Sequence, residues 1–443
     1  MAPPSPPIAH HRPTNRDVAA AEDTLRPEDT AVRPWIWWLV WAGCRCQEPT
    51  TPNVLIVLFD DLGVDQVGAY GLNADTHTPR LDALATNGLV FERAFAEPSC
   101  SPARASLLTG LHPRHHGIGR VVTPASPGLS PDLRSIADVL PPTWTSAFVG
   151  KWHLAPDREQ VRGPAEFGFD HYAVTAGNLT SYTLWERHDA SGMTLVRDYA
   201  TTRVVDDALA LARQMPEPWL LIVSLHAPHA PLHTPPSALL DADVGAGTPP
   251  ARQFDAMVQA ADREMGRLLD GLGARGDRTL KLVLADNGTP SKNVDVFDQA
   301  RSKSSVHEGG VRIPWVLSGP GVDTGRTRAM VHITDVLPTV AELAGVEVDV
   351  DGRSFLANLG DPSLPGHDSV LAEQFGPNGG GPYKRHSVSV RLPGYRYVRD
   401  VIRGTEELQA LDEDGRELGD RLPATSPADQ AALAAARARL GDL

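Results

Sequence analysis

Short apolar runs at residues 53–59 (NVLIVLF), 147–149, 219–225, 280–285 and 313–317, separated by stretches of helical period, constrain the fold of this chain more than any other feature. A strand that is apolar throughout, without alternation, is buried on both faces. Strands of that kind alternating with helices build a mostly parallel sheet covered on each side. The intervening helices are clearest at 206–215 and 254–272. Thr78 and Pro79 open another that Gly88 closes, and 335–344 reads as one more, ended by Gly345. Beyond about Gly360 the chain turns loop-rich, with Gly379, Gly380 and Gly381 in a row, and then 387–391 and 395–401 alternate as antiparallel strands do. The expected architecture is an α/β fold with a large, mostly parallel or mixed central sheet flanked by helices over 52–360. A small antiparallel β-rich C-terminal subdomain over 361–443 follows, including an Ala-rich surface helix at 427–440.

Residues 1–51 stand apart. A Pro-rich, Arg-containing stretch leads into an apolar run from Trp35 to Ala42, too short to span a bilayer but of the length found in secretory signals, with Arg33 before it. The order Leu39-Val40-Trp41-Ala42-Gly43-Cys44 resembles a bacterial lipoprotein signal, with Trp41 where an aliphatic residue is usual. Export is therefore expected, to the periplasm or to a membrane held by a lipid on Cys44; a disordered tail is the alternative. Cys44, Cys46 and Cys100 are too few and too poorly spaced for a disulfide framework. A formal charge of -14 argues against a nucleic-acid partner, since phosphate backbones are held by a surplus of Lys and Arg. An anionic small ligand would need a local basic cluster.

Candidate chemistry sits where runs end, which is where open α/β sheets bind ligands. Asp60 and Asp61 follow the first run, and Asp286 and Asn287 follow the run ending at Ala285. Adjacent carboxylates repel unless a cation lies between them, and hard cations such as Ca²⁺ or Mg²⁺ take oxygen ligands. The segment Pro98-Ser99-Cys100-Ser101-Pro102-Ala103-Arg104 sets a cysteine ahead of a helix whose first turn suits Pro102, with Arg104 four residues on. Helix N-terminal amides and a guanidinium together favour an anion. Taken singly, each feature has a bland alternative: a solvated turn, a buried inert thiol, a structural histidine or a surface lysine.

The pattern C-x-P-x-R at Cys100–Arg104 resembles the signature of the sulfatase family, and the likeness runs from about Pro52 to Asp420 in the family's order. NVLIVLFDDLG carries Asp60 and Asp61; VGKWHL carries Lys151 and His153, with Thr143 and Trp144 in place of a usual Gly-Tyr; HAPHAPLH carries His229, with His226 where many members have Asn. ADNG supplies Asp286 and Asn287, and KSSVHEGGVRIP supplies Lys303, five residues before Glu308. YRYVRDVIRGTEELQALDEDGREL is similar to the family's closing strand and helix, with Gln409-Ala410 replacing Tyr-Asp.

The resemblance implies an alkaline phosphatase-like fold and hydrolysis of sulfate esters. Cys100 would be converted to Cα-formylglycine by a formylglycine-generating enzyme, beside Ca²⁺ (or Mg²⁺) held by Asp60, Asp61, Asp286, Asn287 and residue 100. Cys100 would be the nucleophile, Arg104 its support, Lys151 and Lys303 the sulfate ligands, His229 the leaving-group acid and His153 the base. Counting Arg104, Lys151, Lys303 and a divalent cation against Asp60, Asp61 and Asp286 leaves a positive surplus, which favours an anion despite the acidic chain. A phosphodiesterase or phosphonate monoester hydrolase on the same scaffold, or a non-catalytic sulfated-glycan-binding protein, are the alternatives. The rim from Ala176 to Val196 and from His233 to Thr248 is expected to select the substrate.

Overall fold

Every residue of the strand Asn53–Asp60 (β1) is buried, as its unbroken apolar run requires. The computed structural model describes residues 51–156, 163–241 and 252–441. The export signal, Cys44 and Cys46, and the rim residues beyond 241 lie outside them. The remaining strands of the large sheet are Leu89–Phe95 (β2), Thr145–Lys151 (β3), His171–Thr175 (β4), Trp185–Asp189 (β5), Gly192–Val196 (β6), Trp219–Pro228 (β7), Thr279–Ala285 (β8), Trp315–Ser318 (β9) and Gly325–His332 (β10). They lie in the order β10-β2-β9-β8-β1-β7-β3-β4-β5-β6. β8, β1, β7 and β3 are adjacent and parallel, so four carboxyl ends open side by side. β9 runs antiparallel to both its neighbours, and β5 to both of its own, which makes the sheet mixed.

The helices that matter for the site are Pro79–Thr86 (α1), Cys100–Thr109 (α2), Ala200–Gln214 (α3), Gln253–Gly271 (α4) and Val336–Leu343 (α5). α3 and α4 pack on each other and on β7, while α2 packs on α5. α2 is buried at every position, which explains why it shows no amphipathic stripe. α3 begins at Ala200, six residues ahead of the expected start, because the Thr and Val residues of its first turns mask the helical period. α1 ends at Thr86 rather than at Gly88. Gly88 serves a close approach instead: a Cβ there would lie 2.0 Å from the carbonyl oxygen of Leu317 on β9. Gly345, at φ 74°, does follow the end of α5 as a left-handed cap residue.

A second, five-stranded antiparallel sheet comprises Val370–Gly376 (β11), Arg385–Leu392 (β12), Tyr395–Asp400 (β13), Thr405–Leu411 (β14) and Glu417–Asp420 (β15) in sequence order. TEELQAL is thus a strand, not a closing helix; its Leu408 and Leu411 are buried while Thr405 is exposed. The helix Pro427–Leu440 (α6), capped by Ser426, lays Ala436 and Leu440 on this sheet beside Tyr397 and Leu408. The described residues from Thr51 onward form one compact unit. Phe95, Val311, Met330, Val370 and Ala372 make an apolar seam between the sheets. Within it, buried Glu308 accepts from Arg396 at 3.0 Å and pairs with Arg391.

Glu417 of β15 ties the small sheet to the segment before Glu308, bonding His307 at 3.0 Å and the Glu308 amide at 3.2 Å and pairing with Arg301. Burial alone would raise its pKa, but His307 and Arg396 pull it down to about 2. A depressed carboxyl pKa stabilises the fold above the unfolded value, near 4.3, and that stabilisation is lost as pH falls toward 2. The shift corresponds to about 3 kcal/mol. Urea unfolding at pH 6 and pH 3 should show roughly half of this loss in the native protein, since pH 3 still lies above the folded pKa, and Glu417→Gln should lower stability at pH 6 while flattening the difference.

Candidate active site

β1 ends in Asp60 and turns at Asp61; β8 is followed by Asp286 and Asn287; β3 ends in Lys151; β7 carries Ser224 and His226 near its end; and α2 starts at Cys100. The Cys100 Sγ lies 3.2 Å from Asp60 Oδ1 and 3.9 Å from Asp61 Oδ1. Lys151 pairs with Asp60 and Lys303 with Asp61. Arg104 donates to Asp286 Oδ2 at 2.8 Å and to the Lys151 carbonyl at 2.9 Å, and it also contacts Ser224. Asp286 Oδ1 accepts from the Asp61 amide at 3.1 Å, and Asn287 Nδ2 donates to Asp61 Oδ1 at 2.8 Å. His229 Nε2 is 3.8 Å from Asp61 Oδ2, and its backbone carbonyl accepts from the Tyr182 hydroxyl at 2.7 Å. His153 stands two residues beyond Lys151, and its carbonyl accepts from Ser101 Oγ at 2.8 Å.

Asp61 (φ 73°), His153 (φ 61°) and Ser304 (φ 72°) are the non-glycine residues in the left-handed region among those described. Each lies in or beside this cluster. Strain of that kind, on the order of 1–3 kcal/mol per residue, persists where the surroundings over-determine the backbone.

Burial and the Asp60 carboxylate push the Cys100 thiol well above its ordinary pKa, so an unmodified Cys100 is a protonated thiol rather than a nucleophilic thiolate. Burial would raise Asp60, yet Lys151, His229, Arg104 and Lys303 hold it well below the carboxylate range. Asp286 is pushed up to about 7, first by burial and then by Asp60. Burial followed by Lys151 and Arg104 pushes His153 well below the imidazole range, leaving a neutral base at neutral pH. Burial opposes the charge of Lys303, but the anionic groups around it, Asp61 and Asp60 among them, raise its pKa.

The donors fit a hard divalent cation. Ligand atoms of Asp60, Asp61, Cys100 and His229 all lie within 4.8 Å of one another. Asn287 Oδ1, buried and without a hydrogen-bond partner among the described residues, supplies an orphaned oxygen beside them. Asp286 adjoins this group through Asp61, with each of its oxygens hydrogen-bonded. All the sequence-selected residues, Asp60, Asp61, Cys100, Arg104, Lys151, His153, His229, Asp286, Asn287 and Lys303, thus gather at one end of the sheet. Ser224, Thr175 and Tyr182 were not singled out from the sequence. Ser224 had a signal, a lone hydroxyl inside the apolar run of β7. Tyr182 lies in the expected rim without being named, and Thr175, which bonds His226 at 2.7 Å, had no signal.

Part of the expected rim surrounds a cavity of about 220 Å³ lined by Thr175, Asn178, Leu184, Trp185 and Leu195. A second cavity, about 640 Å³, borders Ser99 and Ser304 and is lined by Arg120, Lys384, Arg385 and Arg403.

A mixed α/β sheet whose parallel core gathers carboxylates and buried cations around a helix-initial cysteine, at the strands' carboxyl ends, places the candidate site where open α/β sheets bind their ligands. The family pattern described as Sulfatase matches residues 52–346, and the chain belongs to that family. It is 29% identical to arylsulfatase A of Homo sapiens over 70% of this chain and 68% of that one. It is 26% identical to the ulvan-active sulfatase of Formosa agariphila over 84% and 79%. Arylsulfatase J of Mus musculus is 27% identical over 68% of this chain, which spans only 54% of that protein's length. Among solved structures, the putative sulfatase yidJ of Bacteroides fragilis superposes with a TM-score of 0.74 at 20% identity, over 90% of this chain and 97% of that one, which establishes the shared fold.

Proposed function

We propose that the protein hydrolyses sulfate esters, with residue 100 as nucleophile after conversion of Cys100 to Cα-formylglycine. The observation that carries this reading is the placement of Cys100, at the buried start of α2, in contact with Asp60 and ringed by Lys151, Lys303 and Arg104. Asp60, Asp61, Asp286 and Asn287, with residue 100, would hold Ca²⁺ or Mg²⁺. When present, the cation supplies Lewis acidity that lowers the pKa of an attacking hydroxyl, and hydrated formylglycine supplies that hydroxyl.

The chain's own groups do the rest. Lys151 and Lys303 bind sulfate oxygens and stabilise charge in the transition state, usually the largest single catalytic effect. Arg104 fixes Asp286 and offsets the carboxylate charge. His229, the most exposed imidazole of the set, protonates the leaving alcohol or phenol, and neutral His153 accepts a proton at residue 100. The basic cavity beside Ser99 and Ser304 favours a sulfated carbohydrate over a small aryl ester. That preference agrees with the ulvan-active relative and with a solved sulfatase-fold protein (TM-score 0.68, 18% identity) in complex with its substrate D-glucosamine-2-N,6-O-disulfate. Maturation would require a formylglycine-generating enzyme. The run from Trp35 to Ala42 with Cys44 supports export and a lipid anchor.

The test compares kcat/KM on aryl sulfates and aryl phosphate esters bearing matched leaving groups. Sulfate should be preferred; a preference for phosphate diesters would transfer the protein to the phosphodiesterase reading, and binding of sulfated glycans without turnover would make it a lectin-like module. In the same series, His229→Ala should slow esters with poor leaving groups by about 10²–10⁴-fold and activated aryl esters far less. Equal losses on both would remove His229 from the acid's role.

A further inference from the structure

We propose that Glu97, His112 and His332 form a second metal site, a buried clip of two histidines and one carboxylate for a divalent transition metal of the zinc type. Glu97 lies between β2 and α2, His112 follows the glycine that ends α2, and His332 is the last residue of β10. Their ligand atoms lie within 4.8 Å of one another. Glu97 Oε1 is 3.6 Å from His332 Nε2 and 3.8 Å from His112 Nδ1, beyond hydrogen-bond reach. All three of these atoms are buried and lack a hydrogen-bond partner among the described residues. The residues are 0%, 8% and 1% exposed for Glu97, His112 and His332. Three unsatisfied polar atoms within 4.8 Å of one another, in a protein interior that rarely leaves even one, call for a shared partner.

A cation meets the geometry and the charge. Metal–donor bonds of about 2.0–2.2 Å in a tetrahedral zinc site separate donors by roughly 3.4 Å, so the two carboxylate–imidazole separations, 3.6 and 3.8 Å, need to close by only a few tenths of an ångström. Two of the remaining atoms are already held as an outer shell: Glu97 Oε2 accepts from the Glu373 amide at 2.9 Å, and His332 Nδ1 lies 3.0 Å from Thr334 Oγ1. Ligation through His332 Nε2 requires the proton on Nδ1, where Thr334 Oγ1 accepts it, at the expense of the 3.3 Å contact from the Thr334 amide. Two nitrogens and one oxygen suit zinc, whereas the oxygen-rich set around Asp60 suits calcium or magnesium, so the two sites would sort their ions by donor type. A metal here would fasten the segments before and after α2 to the end of β10, fixing the helix that begins at Cys100.

The test titrates full-length protein, freed of transition metals but kept in excess Ca²⁺, with Zn²⁺ by calorimetry and with Co²⁺ by visible absorption. Expected are one saturable zinc per chain, an intense cobalt spectrum of low coordination number with nitrogen ligands, and a thermal midpoint about 3 °C higher at a hundredfold excess of zinc over Kd. Glu97→Gln and His332→Gln should each weaken zinc binding by about 100-fold or more and abolish the thermal shift. His115→Ala, at the exposed neighbouring imidazole, and Asp61→Asn, in the catalytic cluster, should leave it unchanged. The proposal is overturned by no saturable binding, by a weak octahedral cobalt spectrum, or by zinc binding that survives Glu97→Gln and disappears with His115→Ala or Asp61→Asn. The titration and spectrum of the native chain decide the matter even if a variant fails to fold, and turnover of sulfate esters enters none of these outcomes.

Discussion

Cys100→Ala is expected to lower turnover by about 10⁴–10⁶-fold while leaving the thermal midpoint within a few degrees of the native value. The substitution removes only the reactive end of one small side chain, a sulfur as encoded and oxygen after maturation, from a site that is 1% exposed, and the ion pairs of Asp60 with Lys151 and Asp61 with Lys303 remain. Only the group on which the chemistry is built is lost. Cys100→Ser divides the mechanism further. A serine hydroxyl in this setting can attack sulfur, but its carbon bears no second hydroxyl to expel the sulfate, so the reaction should stop after one stoichiometric transfer and leave a stable ester. Mass spectrometry of the peptide spanning residue 100 supplies the complementary result. Active native enzyme should carry an aldehyde there, and active enzyme holding only a thiol would end the formylglycine account. The raised thiol pKa points the same way, because a protonated Cys100 is a poor nucleophile.

The site was more legible in the sequence than the sheet around it. Asp60 and Asp286 could be placed because each follows an apolar run, and a central strand's burial is written in its composition. β2 and β10 were not placed. LVFERAF carries Glu92 and Arg93 in mid-strand, and GRTRAMVH has exposed arginines at its start, where β10 forms the sheet edge. Glu92 is satisfied from β10 itself by Arg326 and Arg328, a pairing that exists only after both strands are in register. Strand β6, with four of five residues exposed, has no apolar pattern to read. Local sequence encodes burial well and encodes cross-strand compensation hardly at all. The same limit hid Glu97, His112 and His332, whose meeting depends on the turns before and after α2 and on the end of an edge strand that had gone unread.

Arg104 is where fold and chemistry are hardest to separate, and a pair of substitutions separates them. The guanidinium is fully enclosed; it donates to Asp286 and the Lys151 carbonyl and stands 3.9 Å from Asp60. Arg104→Met removes a cation that holds the Asp286 pKa down, so this buried carboxyl, already at about 7, takes up a proton and loses its hydrogen-bond donor, which should cost about 1–3 kcal/mol and lower the thermal midpoint by a few degrees. Turnover should fall by about 10²–10³-fold as Asp286 loses its orientation. Adding Asp286→Asn replaces the carboxyl by a neutral amide that needs neither a cation nor a proton taken up on folding, so the double variant should recover most of the stability, since residues in one network couple strongly. It should not recover turnover, because Asp286 is needed as an anion beside Asp61 and not merely as a neutral filler. Chemical denaturation and kcat/KM measured on the four proteins of this cycle give the answer. If the double variant regained activity together with stability, Arg104 and Asp286 would be a structural pair, and the charge arrangement at residue 100 would have to be rebuilt from Lys151, Lys303 and the β1 carboxylates alone.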